Sequence, residues 1–245
     1  YKGGLISKED YKGVVRNACP TTGACPFMGT ANTMCAMAEV LGLSLPGNAS
    51  VAANSEEWKQ MARDSGELIV ALIKNNWKPR EHITMESYMN FIKYVMATGG
   101  STNTVLHLPA VAKQAGFQIT YDDFDRISRE IPLLSTIYPS HDVYTMVDFD
   151  RAGGVRAVLK ELAAAGKLCL DTGTVTGTLR ERLEGIENRD TDVIRPVSNP
   201  ISPEGGIAVL QGNMASRGAV VKFSAVKEKA HRLSGPAKVF DSEME

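Results

Sequence analysis

The chain has 245 residues, of which 43% are hydrophobic and 22% charged, with a formal net charge of −1 at pH 7. These proportions are those of a soluble globular protein. The mixed charges leave no basic stripe for nucleic acid, and no apolar run reaches membrane-spanning length. The four cysteines are unevenly spaced and too few for a disulfide framework. No secretory signal opens the sequence, so a reducing cytoplasm is the expected setting.

Near the start, Cys19-Pro20-Thr21-Thr22-Gly23-Ala24-Cys25-Pro26 holds two thiols among turn-forming residues, and Gly29-Thr30-Ala31-Asn32 opens onto an apolar helix. A helix N-terminus offers free N–H groups and the positive end of the dipole to a bound anion. Two readings stand on these residues alone: a metal or cluster ligand at a helix start, or an ordinary junction with small buried thiols. Met34, Met37, Ala38 and Leu41 then recur at i, i+3, i+4 and i+7, predicting the buried stripe of that helix, which Gly42 ends.

Residues 44–50 read as a loop. Ser55 is placed to cap a second helix with Trp58, Met61, Ala62, Leu68, Ile69, Leu72 and Ile73 along one side, stopped by Asn75-Asn76 and Pro79. A third helix starts at Thr84 and carries Tyr88, Met89, Ile92, Val95 and Met96 inward. Gly99-Gly100-Ser101-Thr102-Asn103 is a second small-polar loop running into a helix start. Read alone, it favours a helix–helix corner whose polar side chains cap the next helix over an anion site. His107, between leucines, reads as structural rather than as a ligand.

Thr120 with Asp123 resembles a capping box before Phe124, Ile127 and Ile131, and Pro132 ends that helix. Asp148 is expected to cap one helix running through Val155, Val158, Leu159 and Leu162 to Gly166. Residues 172–179 form a third small-residue turn, read as a connection because it lacks a P-loop lysine and a dinucleotide fingerprint. The Pro- and Gly-rich run 199–206 reads as a linker. Strands are expected around 207–210, 219–223 and 237–240.

Taken in order, Cys-Pro-Thr-Thr-Gly-Ala-Cys25 with Gly29–Met34, Leu43-Ser44-Leu45-Pro46-Gly47-Asn48, Gly99–Asn103 with Leu106-His107-Leu108, and Gly205-Gly206-Ile207-Ala208-Val209-Leu210 resemble the dihydroxy-acid and sugar-acid dehydratase family. Gly212-Asn213, Gly218–Lys222 and Gly235–Glu243 extend the likeness over nearly the whole chain. The resemblance implies an α/β fold: residues 1–198 as part of a layered α/β iron–sulfur domain, and 199–245 as a linker and the beginning of a mostly β, barrel-like domain. It implies a hydro-lyase that removes water from a 2,3-dihydroxy acid to give a 2-keto acid, in the dihydroxy-acid dehydratase branch serving branched-chain amino-acid synthesis.

The cofactors implied are an iron–sulfur cluster, 2Fe-2S or 4Fe-4S, and Mg2+; the partners implied are a small dihydroxy-acid substrate and other copies of the same chain. By position, Cys25 matches the last of three cluster cysteines. Cys19 is only its neighbour, and Cys35 and Cys169 are expected to be inert core thiols. Gly100, Ser101, Thr102 and Asn103 are expected to face the anionic substrate. The other cluster and magnesium ligands are expected upstream of Tyr1 and the base beyond Glu245, so that these 245 residues alone would be inactive.

Three other readings remain open. One is a sugar-acid (aldonate) dehydratase of the same family. Another is a non-catalytic binding or assembly module. The third is a structural zinc site, which the Cys-x5-Cys spacing disfavours.

Overall fold

A computed structural model describes residues 1–18, 23–227 and 230–244. Helices α1 (Lys8–Asn17), α2 (Thr30–Val40), α3 (Glu56–Lys74), α4 (Pro79–His82), α5 (Met85–Thr98), α6 (Thr104–Gln114), α7 (Tyr121–Glu130), α8 (Met146–Ala152) and α9 (Gly154–Ala164) come first. The two-residue strands β1 (Gly173–Thr174) and β2 (Gly177–Thr178), the short helix α10 (Leu179–Arg182) and the hairpin of β3 (Ala208–Gly212) with β4 (Ala215–Val221) follow. The fold is thus mixed helix and sheet, and the sheet among the described residues is two antiparallel hairpins. No helix among them is long and apolar enough to cross a membrane.

The core is built around α5. Thr84 and Ser87 form a reciprocal capping box at its start, and Gly99, at φ 56, ends it in the left-handed region. Its Tyr88, Phe91, Ile92, Tyr94, Val95 and Met96 are all fully buried. A helix apolar on every side has to be surrounded, and α2, α6, α7 and α9 pack on it. Asn90, also buried, exchanges two hydrogen bonds with the backbone of Cys169, at 2.8 and 3.1 Å. This ties the segment after α9 to the central helix.

Several local expectations hold. Ser55 caps α3 by accepting from the Trp58 N–H, and Thr120 with Asp123 forms the box at α7. Others are corrected. The buried face of α2 is Asn32, Thr33, Ala36, Glu39 and Val40, whereas Met34, Met37 and Ala38 are only half-buried. Leu41 of the expected stripe is buried, Met34 and Met37 pack only partly against the core, and the polar Asn32, Thr33 and Glu39 share the interior face with Ala36 and Val40. The cap near 148 is Thr145, with Asp148 three residues inside a capping box, and Gly153 at φ 119 breaks the expected single helix into α8 and α9.

Cys35 is exposed and Cys169 half-buried, so neither is a core thiol. Residues 237–240 are exposed and form no strand, and no strand among the described residues pairs with them. None of the residues of α3 is buried: Met61, Leu68 and Leu72 are half-covered, and Ile69 and Ile73 are open.

The Pro- and Gly-rich run lies against the helices. The Ile201 N–H donates to Leu133 O at 2.8 Å, Gly205 N–H to Ser128 O at 2.7 Å, and Gly206 N–H to Met96 O at 2.8 Å. Gly206 sits so close to Gly99 that a Cβ there would meet the Gly99 nitrogen at 2.9 Å. From there β3 runs over α7.

Candidate functional site

Cys25 lies in the loop before α2 and is exposed. The buried Asn32, in the first turn of α2, donates its side-chain amide to the carbonyls of Cys25, at 2.8 Å, and Phe27, at 2.6 Å. The loop is tied from its other side by residues 138–146: Met28 N–H donates to Tyr138 O and Met146 N–H to Pro26 O, both at 2.9 Å. Lys222, just past β4, brings its Nζ to 3.3 Å from Met28 O, and burial pushes its ammonium below the usual lysine range.

The two small-polar loops meet at the start of α2. Ser101 N–H donates to Thr33 Oγ1 at 3.1 Å, while Thr33 Oγ1–H donates back to Gly29 O at 2.7 Å. The Thr30 and Ser101 hydroxyls lie 3.0 Å apart, and Asn103 donates its side-chain amide to Thr30 Oγ1 at 2.9 Å. Asn103 occupies the N-cap of α6, yet its side chain makes no bond within that helix. The favoured sequence reading of residues 101–103 as ordinary caps is therefore corrected for Asn103, whose amide reaches the other loop. Gly100 allows the approach, since a Cβ there would lie 3.1 Å from Thr33 Cγ2 and 3.3 Å from Val95 Cγ1.

Beside Cys25 is a cleft of about 80 Å³ lined by Cys25, Pro26, Asn32, Ala49, Ser50 and Met146, among others. Its far wall is the loop after α2, organised by Glu39. That carboxylate, 3% exposed, accepts from the N–H groups of Gly47 at 2.8 Å and Ala49 at 3.0 Å. Burial pushes Glu39 above the usual carboxylate range, against the opposing pull of those two amides, Arg156 and Arg182. Arg182 donates to Thr176 Oγ1 at 2.9 Å, Glu39 O at 3.3 Å and Ser44 O at 2.9 Å. Burial lowers it to about 10, so it remains a cation at neutral pH.

Of the residues singled out from sequence, the structure brings Ser101 and Asn103 to the start of the same helix whose N-terminal loop carries Cys25. Gly100 is buried, Thr102 half-buried and Asn103 exposed. Cys19 lies outside the described residues. His107 is exposed, on α6. Thr30, Asn32, Thr33 and Glu39 went unread as site builders; only Asn32, Ala36 and Glu39, at i, i+4 and i+7, fall on one helix face by spacing.

Cys25 offers one exposed thiol on a loop fixed by Asn32, Pro26 and Met28, which suits one ligand position of a cluster. No group of three or more His, Cys, Asp or Glu among the described residues is placed to hold a metal ion. Among the described residues, Cys25 fits one donor position and a complete set is not assembled.

The family model described as Dihydroxy-acid/6-phosphogluconate dehydratase N-terminal matches residues 1–182, and the corresponding C-terminal model matches residues 192–245. A protein of Caldanaerobacter subterraneus subsp. tengcongensis named dihydroxy-acid dehydratase is 48% identical over 245 residues, covering 100% of this chain and 44% of that protein. Proteins of the same name from Clostridium novyi and Metallosphaera sedula are 45% and 44% identical, covering 99% and 100% of this chain and 44% of each relative. The chain thus spans less than half the length of the curated relatives it matches.

Proposed function

The chain belongs to the dihydroxy-acid/6-phosphogluconate dehydratase family, and from that premise we propose that it forms part of a hydro-lyase converting a 2,3-dihydroxy acid to a 2-keto acid. The reading favours the dihydroxy-acid dehydratase branch, in line with the names of its relatives. The observation that carries it is the meeting of two motifs at one helix start, through Thr30, Ser101 and Asn103, beside the loop that presents Cys25.

In this reading Cys25 is one ligand of an iron–sulfur cluster, and Mg2+ is held by residues outside this chain. When bound, the two metals supply Lewis acidity toward the departing hydroxyl and the substrate carboxylate. The remaining work belongs to side chains and backbone described above. Residues 100–103 line the place of an anionic substrate; the N–H groups of Gly100, Ser101 and Asn103 are engaged within the protein, and the bonds of Ser101 and Asn103 to Thr33 and Thr30 hold the loop in shape before substrate arrives. Asn32 orients the Cys25 loop. The general base is expected beyond Glu245. Residues 1–198 serve as part of the α/β domain, and 199–245 as the linker and beginning of a β, barrel-like domain. The holoprotein is cytoplasmic and homo-oligomeric.

Turnover of 2,3-dihydroxyisovalerate against a panel of aldonates, in the whole protein carrying these residues, tests the proposal. Dehydration of the branched dihydroxy acid is expected. Preference for an aldonate moves the assignment to the sugar-acid branch. No turnover of either class, in protein reconstituted anaerobically with iron and sulfide, overturns it.

A further inference from the structure

Helix α2 carries two buried polar side chains that each hold one wall of the cleft beside Cys25. Asn32 grips the Cys25 wall through the carbonyls of Cys25 and Phe27. Glu39, two turns further on, grips the opposite wall through the N–H groups of Gly47 and Ala49. Seven residues of α-helix separate the two grips by about 10 Å, so the rigid rod of α2 sets the spacing between the walls. Ala49 and Ser50 line the cleft together with Cys25 and Asn32. A second bond holds the same wall, from Ser50 Oγ–H to Asp150 Oδ1 at 2.6 Å.

A buried carboxylate costs more to retain than an apolar side chain of its size unless its oxygens are well satisfied. Ala36 and Val40 flank Glu39 on the buried face of α2, where a Leu would match their apolar character but leave the nearby Arg156 and Arg182 without this carboxylate. What a Leu cannot do is accept two backbone N–H groups from a loop. We propose that Glu39 is a positioning residue that holds residues 47–49 at a set distance from Cys25 and so fixes the width of the cleft at that thiol. Its consequence for catalysis rests on the dehydratase reading above; the positioning itself does not.

The test uses the whole protein carrying these residues, purified without iron, with iodoacetamide as the probe and peptide-resolved mass spectrometry as the readout. Cys35, exposed on the same helix away from the cleft, is the internal reference. Glu39→Gln keeps the side chain's size and one acceptor oxygen but turns an N–H₂ toward one of the two loop amides, so donor faces donor at either Gly47 or Ala49. It is expected to raise the ratio of Cys25 to Cys35 alkylation rates by about threefold or more, with deuterium uptake rising over 44–53 and not over 88–97.

An unchanged ratio overturns the inference, whether or not the 44–53 loop exchanges faster. If E39Q fails to fold, Ser50→Ala removes only the bond to Asp150 from the same wall. A ratio raised about twofold then supports the inference, and an unchanged one overturns it. Turnover is measured separately on reconstituted protein: wild type inactive on every dihydroxy acid, with the ratio still shifted, removes the dehydratase reading and leaves the positioning role standing.

Discussion

Asn103 donates its side-chain amide to the hydroxyl of Thr30 across 2.9 Å, joining two loops whose residues stand 73 positions apart. Thr30 also shares a hydrogen bond with Ser101, so one hydroxyl is the node of the junction. Thr30→Val keeps the β-branched shape and removes the node. It is expected to cost about 1 kcal/mol in urea unfolding and, in the whole protein, to lower kcat/KM about tenfold by releasing the substrate-facing loop. Thr30→Ser retains the hydroxyl and should behave nearly as wild type in both measurements.

Asn32 serves two carbonyls at once, those of Cys25 and Phe27. Asn32→Ala leaves both without that donor in a partly buried place, for an expected loss of about 1–3 kcal/mol by chemical denaturation. Asn32→Asp points a carboxylate at the same carbonyl oxygens and should destabilise further, with the gap between the two variants narrowing as the acid is protonated at low pH.

Cys25→Ser, in the whole protein, is expected to abolish bound iron and turnover together. Cys35→Ser is expected to leave both in place, since Cys35 stands exposed on α2 outside the cleft. Iron and labile sulfide analysis after anaerobic reconstitution checks the pair. Full activity in C25S would favour a non-catalytic binding module over the enzyme.

Asp148 closes the capping box at the start of α8, accepting from the Thr145 N–H and hydroxyl, both at 2.8 Å. The backbone hydrogen bond from Thr145 is the largest influence holding its carboxyl below the ordinary value of 3.8. A depressed folded value contributes stability that is present above the unfolded one and is lost as pH falls through the folded one. Wild type should therefore melt above Asp148→Asn at pH 7, and the difference should shrink as pH falls below the ordinary carboxyl value and through the depressed folded one, in parallel thermal melts.

Gly206 and Gly99 stack backbone on backbone where the run 199–206 meets the end of α5. A Cβ on Gly206 would meet Gly99 N at 2.9 Å and Leu133 Cδ1 at 3.0 Å, and the first of these is main chain that cannot rotate away. Gly206→Ala is expected to destabilise by about 1–3 kcal/mol, measured by urea unfolding. Gly212→Ala, with open space around its Cβ position, is the matched control.

The amino-acid sequence by itself determined where several helices start, though not α8, and which family the chain resembles. Ser55, Thr84 and Thr120 were legible as caps because a cap is a bond between residues three apart, and the core face of α5 because its apolar residues recur within two turns. The order of the glycine-rich motifs pointed to the dehydratases for a similar reason: each motif is contiguous. The tertiary structure alone decided which side of α2 is buried. Met34 and Met37 offered an apolar stripe, but the chosen face carries Asn32, Thr33 and Glu39, because Asn32 and Glu39 bond the loops on either side of the helix and Thr33 the distant loop at Ser101.

The rotation of a helix about its axis is set by what packs and bonds against it, and those partners are far away in sequence. For the same reason the meeting of Thr30 with Asn103 had no local signature, and the grip of Glu39 on Gly47 and Ala49, eight and ten residues on, depends on how the loop after α2 folds back over the helix. A buried polar residue becomes favourable only when its partners arrive, and that is a property of the folded chain.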